Sequence, residues 1–449
     1  MSTITNVKGK VIAISTLFSS SMIIYSLLPR FFVIGISVLF LFVIGLILKK
    51  QYEIKESLFV LSICFLPTSF VSVLGTSTSQ FPFSWFHILT ILLFLLCASE
   101  RLNQKYFLLL MLFLSFASLR AFMAPQFSDA IKQVLTIVLF LVSFIIGSSF
   151  VGDNHGKFKE FSADILLSSC FSLGLQIIIQ RGMVMTRGVD IGHHIAMGQG
   201  RVAYGGLMGD YSFATLYLAI GCVLTLVYFL DYQRISAISF ILMELFLLFS
   251  ILCVTSRTGL VAFAATVLLY LIRHINRLNK RITFLILSGF LIVPIVLSRL
   301  ASVRGNQSLI DSSGRLDNYI KALSYFKGSP LWGVGFGLSN LYAATGLGVP
   351  HNFFVQYLLQ IGIVGTAIIV AFFVVYLDKY YQKGDPLKWL FWLVAIGAMF
   401  IPDIASSRYF GIIIIITMIG EKQSHENEAG RENRVQNEKS IYAWEIQKS

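Results

Sequence analysis

The chain has 449 residues, of which 56% are hydrophobic and only 13% charged, with a mean hydropathy of +0.78. A soluble fold of this composition would expose too much apolar surface to stay in solution, which leaves an all-α polytopic membrane protein. The formal charge of +13 is scattered between apolar runs and not gathered into a patch, so it reads as a set of topology signals and excludes a nucleic-acid footprint.

Fourteen apolar runs near bilayer-crossing length follow in chain order: 11–28, 31–48, 57–74, 85–98, 106–123, 131–150, 162–180, 211–230, 235–254, 258–274, 282–298, 352–376, 387–402 and 408–420. The first has no small-residue cleavage pattern after it and reads as a span, not a signal peptide. Alternate connections differ in charge. One set holds Lys49, Lys50, Lys55, Arg101, Lys105, Lys157, Lys159, Arg234, the basic stretch 274–281 and Lys379 to Lys388. The short connections of the other set, 75–84, 124–130 and 403–407, hold no lysine or arginine. The positive-inside rule therefore places both termini in the cytoplasm, which requires an even number of spans.

The division expected is an N-terminal bundle over 1–180, a first long outer loop over 181–210, and spans over 211–298. A second long outer loop over 299–350, C-terminal spans over 351–420 and a disordered cytoplasmic tail over 421–449 complete it. Long loops are exempt from the orientation rule. Their basic residues (Arg181, Arg187 and Arg201; then Arg299, Arg304, Arg315, Lys321 and Lys327) point to an anionic ligand at the outer membrane–water boundary. The five cysteines lie inside apolar runs without a CxxC pair and read as buried apolar residues.

The second loop has internal pattern. Leu316, Tyr319, Ile320, Leu323 and Phe326 recur at helical spacing after Ser312 or Ser313 as a cap, and Gly328-Ser329-Pro330 stops the run. This helix is expected on the membrane surface, with Arg315, Lys321 and Lys327 toward water or headgroups. Gly333, Gly335 and Gly337 within WGVGFG let backbone approach a bulky ligand or another helix closely.

His351-Asn352 follows where the loop re-enters the bilayer. An imidazole there is partly dry and can take a proton near neutral pH; a cap or an interfacial anchor is the other reading. Gly362 and Gly365 allow close helix packing. Ser256-Arg257-Thr258-Gly259 joins two spans on the outer side, in a connection too tight to solvate an arginine freely. Arg257 is therefore held against a partner or snorkels to lipid phosphate. With Arg315 it would form a planar bidentate clamp for phosphate.

These motifs in this order, with Ser329-Pro330-Leu331-Trp332-Gly333-Val334-Gly335-Phe336-Gly337 between Gly314-Arg315 and Pro350-His351-Asn352, resemble the O-antigen polymerase and O-antigen ligase superfamily. The resemblance covers roughly 200–366; the first half agrees only in being a set of spans. It implies a glycosyltransferase of the bacterial inner membrane that takes glycan from undecaprenyl diphosphate in the periplasm, without a metal or other cofactor. It implies His351 as the base at the acceptor hydroxyl, and Arg257 and Arg315, with Arg201 as a weaker match, at the diphosphate. Arg187, Asn352, Gly333 and Gly335 are the loop contacts it suggests. Its partners would be an undecaprenyl-diphosphate-linked oligosaccharide, membrane lipid and a chain-length regulator. Polymerase is the main expectation, ligase the alternative, and a flippase or transporter the reading from another class.

Other polar residues have plainer readings. Asp190, His193 and His194 sit in a glycine-rich hydrated loop, where a metal site is the less favoured reading. Glu244 lies mid-span and is expected neutral and hydrogen-bonded between helices.

Overall fold

The computed structural model describes residues 2–73, 83–100, 102–152, 156–196, 202–274 and 315–420. The apolar run 282–298, Arg201, Arg299, Arg304, Ser312, Ser313, Gly314 and the tail 421–449 lie outside the described residues. The chain is an all-α polytopic membrane protein. Its first half contributes α1 (Ser2–Tyr25), α2 (Arg30–Leu48), α3 (Ile54–Cys64), α4 (Trp85–Glu100), α5 (Gln104–Phe122), α6 (Phe127–Ser149) and α7 (Gly156–Arg187). A two-stranded antiparallel hairpin follows, β1 (His194–Ala196) with β2 (Val202–Tyr204). Then come α8 (Tyr211–Leu230), α9 (Ala237–Val254), α10 (Thr258–His274), α11 (Arg315–Gly328), α12 (Leu338–Thr345), α13 (Phe353–Lys379), α14 (Lys388–Gly397) and α15 (Tyr409–Met418).

Thirteen of the fourteen expected runs fall on described residues, and each carries a helix. Among the described residues, eight helices are long and apolar enough to cross a bilayer unaided: α1, α2, α5, α6, α7, α8, α9 and α13. Four others (α4, α10, α14 and α15) are shorter apolar helices. The helix α7 runs on to Arg187, so the first turns of the expected outer loop are helical.

Burial explains the arrangement. Every residue of α8 from Ser212 to Leu230 is buried, with α7, α9, α10 and α14 packed around it, so α8 is the central post. By contrast α2 buries only Ser37, Phe40, Ile44 and Leu48 and leaves Phe31, Leu39, Phe42 and Leu46 exposed. An apolar helix with one narrow buried stripe is stable facing lipid, not water.

The two ends of the bundle differ in chemistry. At one end the basic connections meet each other. Lys55 pairs with Glu100 at 2.8 Å, Lys159 with Asp385 at 2.6 Å, and Arg234 with Glu160. Asn103 donates to the Tyr380 hydroxyl, and the Gly152 N–H to the Gly420 carbonyl at 3.0 Å. The connections 124–130 and 403–407, free of lysine and arginine, meet the glycine-rich loop and the start of α13 at the opposite end, with the Arg257 turn and His351. The alternation read from charge is thus a geometric division of the fold.

Two glutamines of α7 fasten the hairpin loop to that end. Gln180 donates to the Ile191 carbonyl at 2.7 Å and accepts from the Gly206 N–H at 2.8 Å, while Gln176 accepts from the Leu207 N–H. Both are fully buried, and an amide that gives and receives leaves little polar surface unpaired in the core. Glu244 is buried as expected and accepts from Thr225 of α8, a hydrogen bond between helices.

Candidate functional site

His351 stands just before α13, which begins where Asn352 turns its side chain to accept from the N–H groups of Phe354 and Val355, at 3.0 and 3.1 Å. Asparagine in this position satisfies donors that a helix start leaves open. Asn352 is therefore the cap, and His351 precedes it with a partly exposed side chain. Its carbonyl accepts from the Tyr319 hydroxyl at 2.7 Å. Tyr319 lies one turn into α11, the helix whose first residue is Arg315. The fold thus brings the start of the Arg315 helix and His351 into one unit. On the other side of α11, Ile320 and Leu323 are exposed, while Ala322 packs with Leu341 and Leu359. The apolar pattern of this helix is therefore split, one face packed on protein and the other exposed.

The glycine-rich segment meets α13 at a break. Gly362 adopts φ 65° and ψ −170°, a backbone region open to glycine alone, and α13 is interrupted there. In an unbroken helix Ile363 would donate to Leu359, and Val364 to Gln360. Here Ile363 donates to Pro330 at 2.8 Å and Val364 to Leu331 at 3.2 Å. The carbonyls set free are taken by the loop in turn: Val334 donates to Leu359 and Gly335 to Gln360, both at 2.8 Å. Four loop hydrogen bonds thus pair the two N–H groups and the two carbonyls that those helical bonds would have joined. A β-carbon at Gly333 would stand 2.4 Å from the Gln360 carbonyl, and one at Gly362 2.3 Å from the Leu331 oxygen. Of the two partners anticipated for WGVGFG, the structure places a helix against it.

A buried polar ladder backs this joint. Gln133 of α6 accepts from the Gly337 N–H and exchanges hydrogen bonds with Gln360, which accepts from Gln356 one turn earlier at 3.0 Å. Gln356 in turn accepts from the Asp403 N–H, and the Tyr357 hydroxyl donates to the Asp403 carboxylate at 2.6 Å. Burial pushes the Asp403 carboxyl up to about 6. Asp129 and Arg120 hold the loop from α6 and α5: Asp129 accepts from the Ser339 N–H, and Arg120 donates to the Gly333 carbonyl at 2.9 Å. None of these polar side chains was singled out in the sequence. Gln356 and Gln360, four apart inside an apolar run, are the signal that was there to find.

Arg257 occupies the turn between α9 and α10. Thr255 ends α9 in the left-handed conformation, φ 64°, and Gly259 packs so tightly on α8 that a β-carbon would meet the Thr215 carbonyl at 2.2 Å. Arg257 itself is partly exposed. One residue along α8, Leu216 packs on Gly397 at the end of α14, and the next carbonyl, Ala398, accepts from the Phe353 N–H at 3.0 Å. The first turn of α8 is thus the spacer between the Arg257 turn and the His351 helix. Asp210 caps that turn by accepting from Ser212 and Phe213.

The remaining residues fall as follows. Arg187 ends α7 and is exposed beside the hairpin loop. Gly335 has φ 118° with open space where a β-carbon would be. Arg315 opens α11, and Arg201 lies outside the described residues. Asp190 approaches His194 at 3.4 Å, and burial lowers the proton affinity of His193. Among the described residues, no three His, Cys, Asp or Glu side chains gather as a metal would need.

No curated protein matches the chain. Residues 242–370 match the family model described as O-antigen ligase, a segment that runs from α9 through the Arg257 turn and the glycine-rich joint into α13. The segment includes Arg257, Arg315, Gly333 and His351. That segment is thus similar to the O-antigen ligase family, in line with the resemblance that its motifs carry.

Proposed function

We propose that the chain is a polysaccharide polymerase, a glycosyltransferase that joins undecaprenyl-diphosphate-linked repeat units at the periplasmic face of the bacterial inner membrane. The observation that carries the reading is the tie from Tyr319 to His351, which couples the helix opened by Arg315 to the histidine within the matched segment. Both termini lie in the cytoplasm in this reading, since the basic end of the bundle faces inward.

In this reading His351 removes the proton of the acceptor sugar hydroxyl as the oxygen attacks the anomeric carbon of the donor. The bond from that carbon to the diphosphate oxygen breaks, and undecaprenyl diphosphate leaves with its added negative charge. Arg257, Arg315 and Arg201 balance that charge in a partly dry site, where fixed cations act more strongly than in water. Direct displacement inverts the anomeric centre. A donor held in the membrane accounts for a site built at the end of a helical bundle. A chain-length regulator would be the protein partner.

The ligase reading, transfer of finished polysaccharide to lipid A-core, shares donor and leaving group, and the family match is compatible with both. The surface polysaccharide of a deletion strain separates the readings. Core carrying a single repeat unit supports the polymerase. Bare core with lipid-linked polymer accumulating supports the ligase. A transport defect with an unchanged polysaccharide profile would reject both and favour a flippase.

A further inference from the structure

Arg408 sits between the loop 398–407 and α15, at the same end of the bundle as His351. Its backbone has φ 66° and ψ −39°, a conformation a non-glycine residue adopts only when its surroundings force it. The guanidinium carbon lies 3.6 Å from the centroid of the Phe70 ring, and Nε donates to His87 Nε2 at 3.3 Å. His87 Nδ1 is 2.8 Å from the Ser84 hydroxyl. The Ser84 N–H also donates to Nδ1, at 3.3 Å, so Ser84 holds the ring against Arg408. Stacking and the Nε bond fix the plane of the fork, as a preorganised anion receptor requires.

One nitrogen of that fork is left over. Nη1 is covered and has no hydrogen-bond partner among the described residues, and Arg408 has no ion pair among them. The nearest carboxylates along the chain and at the α8 cap are engaged elsewhere, Asp403 by Tyr357 and Asp210 by Ser212 and Phe213. A cation held rigidly, partly dried and left without an acid is an arrangement that an anionic ligand completes. Its place is also close to the site already described. Phe70, beneath the guanidinium, lies 6.1 Å from Phe213, and Tyr409 lies 5.3 Å from Tyr217, ring to ring. Arg408 therefore flanks the first turns of α8 on one side, and the Arg257 turn flanks them on another.

We propose that Arg408 is a phosphate-binding residue for a membrane lipid at this end of the bundle, its lipid being the polyprenyl diphosphate donor. Naming the donor rests on the function proposed above; the phosphate site itself rests on the geometry of Arg408.

The test uses full-length protein in detergent, with undecaprenyl diphosphate and phosphatidylglycerol as separate probes and bound lipid read by native mass spectrometry. Arg408→Ala should weaken undecaprenyl diphosphate binding tenfold or more and leave phosphatidylglycerol occupancy unchanged. Loss of phosphatidylglycerol alone would keep the phosphate site and overturn the donor as its source. Wild-type protein that ignores undecaprenyl diphosphate, while Arg408 governs phosphatidylglycerol, would sink the donor reading and leave this site standing. Unchanged binding of both probes to folded Arg408→Ala overturns the proposal. Should the alanine variant not fold, Arg408→Lys decides the matter: it keeps the charge and loses the fork, so binding should fall several-fold, and undiminished binding rejects the site.

Discussion

The Tyr319 hydroxyl donates to the carbonyl oxygen of His351 at 2.7 Å, so the helix that Arg315 opens carries the histidine's backbone with it. Removing that one oxygen tests whether the tie serves chemistry. Tyr319→Phe should lower turnover about 3- to 30-fold, the range expected when a reacting group is displaced slightly. Donor affinity should stay within about twofold. A variant with wild-type turnover would make the bond a fold contact only.

His351 and the arginines have separable roles in the proposed reaction. His351→Ala should reduce single-turnover rate by about 10²–10⁴ while donor still binds, since a general base acts in the transition state. Arg257→Ala should weaken donor binding as well, because the diphosphate is charged before and after bond cleavage. Donor titration beside single-turnover kinetics distinguishes them. A histidine variant that binds donor far more weakly but turns over normally at saturation would identify His351 as a binding residue.

The joint at Gly362 makes a prediction about stability. Gly362→Ala and Gly333→Ala each force a β-carbon into backbone, at 2.3 and 2.4 Å, from a positive φ. Either should cost at least about 1–3 kcal/mol from backbone conformation alone, with the steric clash added. Gly348→Ala is the control, having open space and an ordinary φ. Thermal unfolding followed by size-exclusion profiles should show the first two variants lowered and the control unchanged. Equal melting of all three would mean that the loop and α13 do not meet as described.

The glutamine ladder should behave as a unit. Gln360→Leu leaves Gln133 and Gln356 without their shared partner, and each buried polar group so stranded costs about 1–3 kcal/mol. Combining it with Gln133→Leu should add less than the sum of the single changes, because the two side chains bond each other. Strict additivity in the melting experiment would dissolve the ladder into independent contacts.

The proposed donor chemistry places arginines at the diphosphate, so transfer by purified protein should persist in excess chelator. Activity abolished by chelator and restored by magnesium would require acidic ligands and shift attention to Asp311 or Asp317.

Much of the fold was legible because lipid-facing helices announce themselves by length and apolarity. The runs 106–123, 131–150 and 211–230 correspond closely to α5, α6 and α8. Charge sorted the connections between two ends, and Lys159 with Asp385 shows those charges meeting. The break in α13 was not legible. Ile361-Gly362-Ile363-Val364-Gly365 is apolar throughout, and hydropathy does not register which carbonyl each N–H meets. The glycines gave close approach without naming the neighbour. Arg408 escaped notice for a related reason: it heads a run of isoleucines, beside a short connection, 403–407, that holds no lysine or arginine. Arg257 and His351 were found by motif, but their common dependence on the first turn of α8 belongs to tertiary packing that spacing does not encode.

The substitute hydrogen bonds at the Gly362 break make two distant stretches of sequence mutually dependent. Pro330 to Gly335 and Leu359 to Val364 complete each other's backbone, as two halves of a splice. A chimera that imports either stretch from a relative without the other would carry mismatched register into the bilayer, where no water can repair it. Specificity should therefore be exchangeable between relatives only in blocks running from Pro330 through Gly365, and insertions within the family should be tolerated between the two stretches and not inside them.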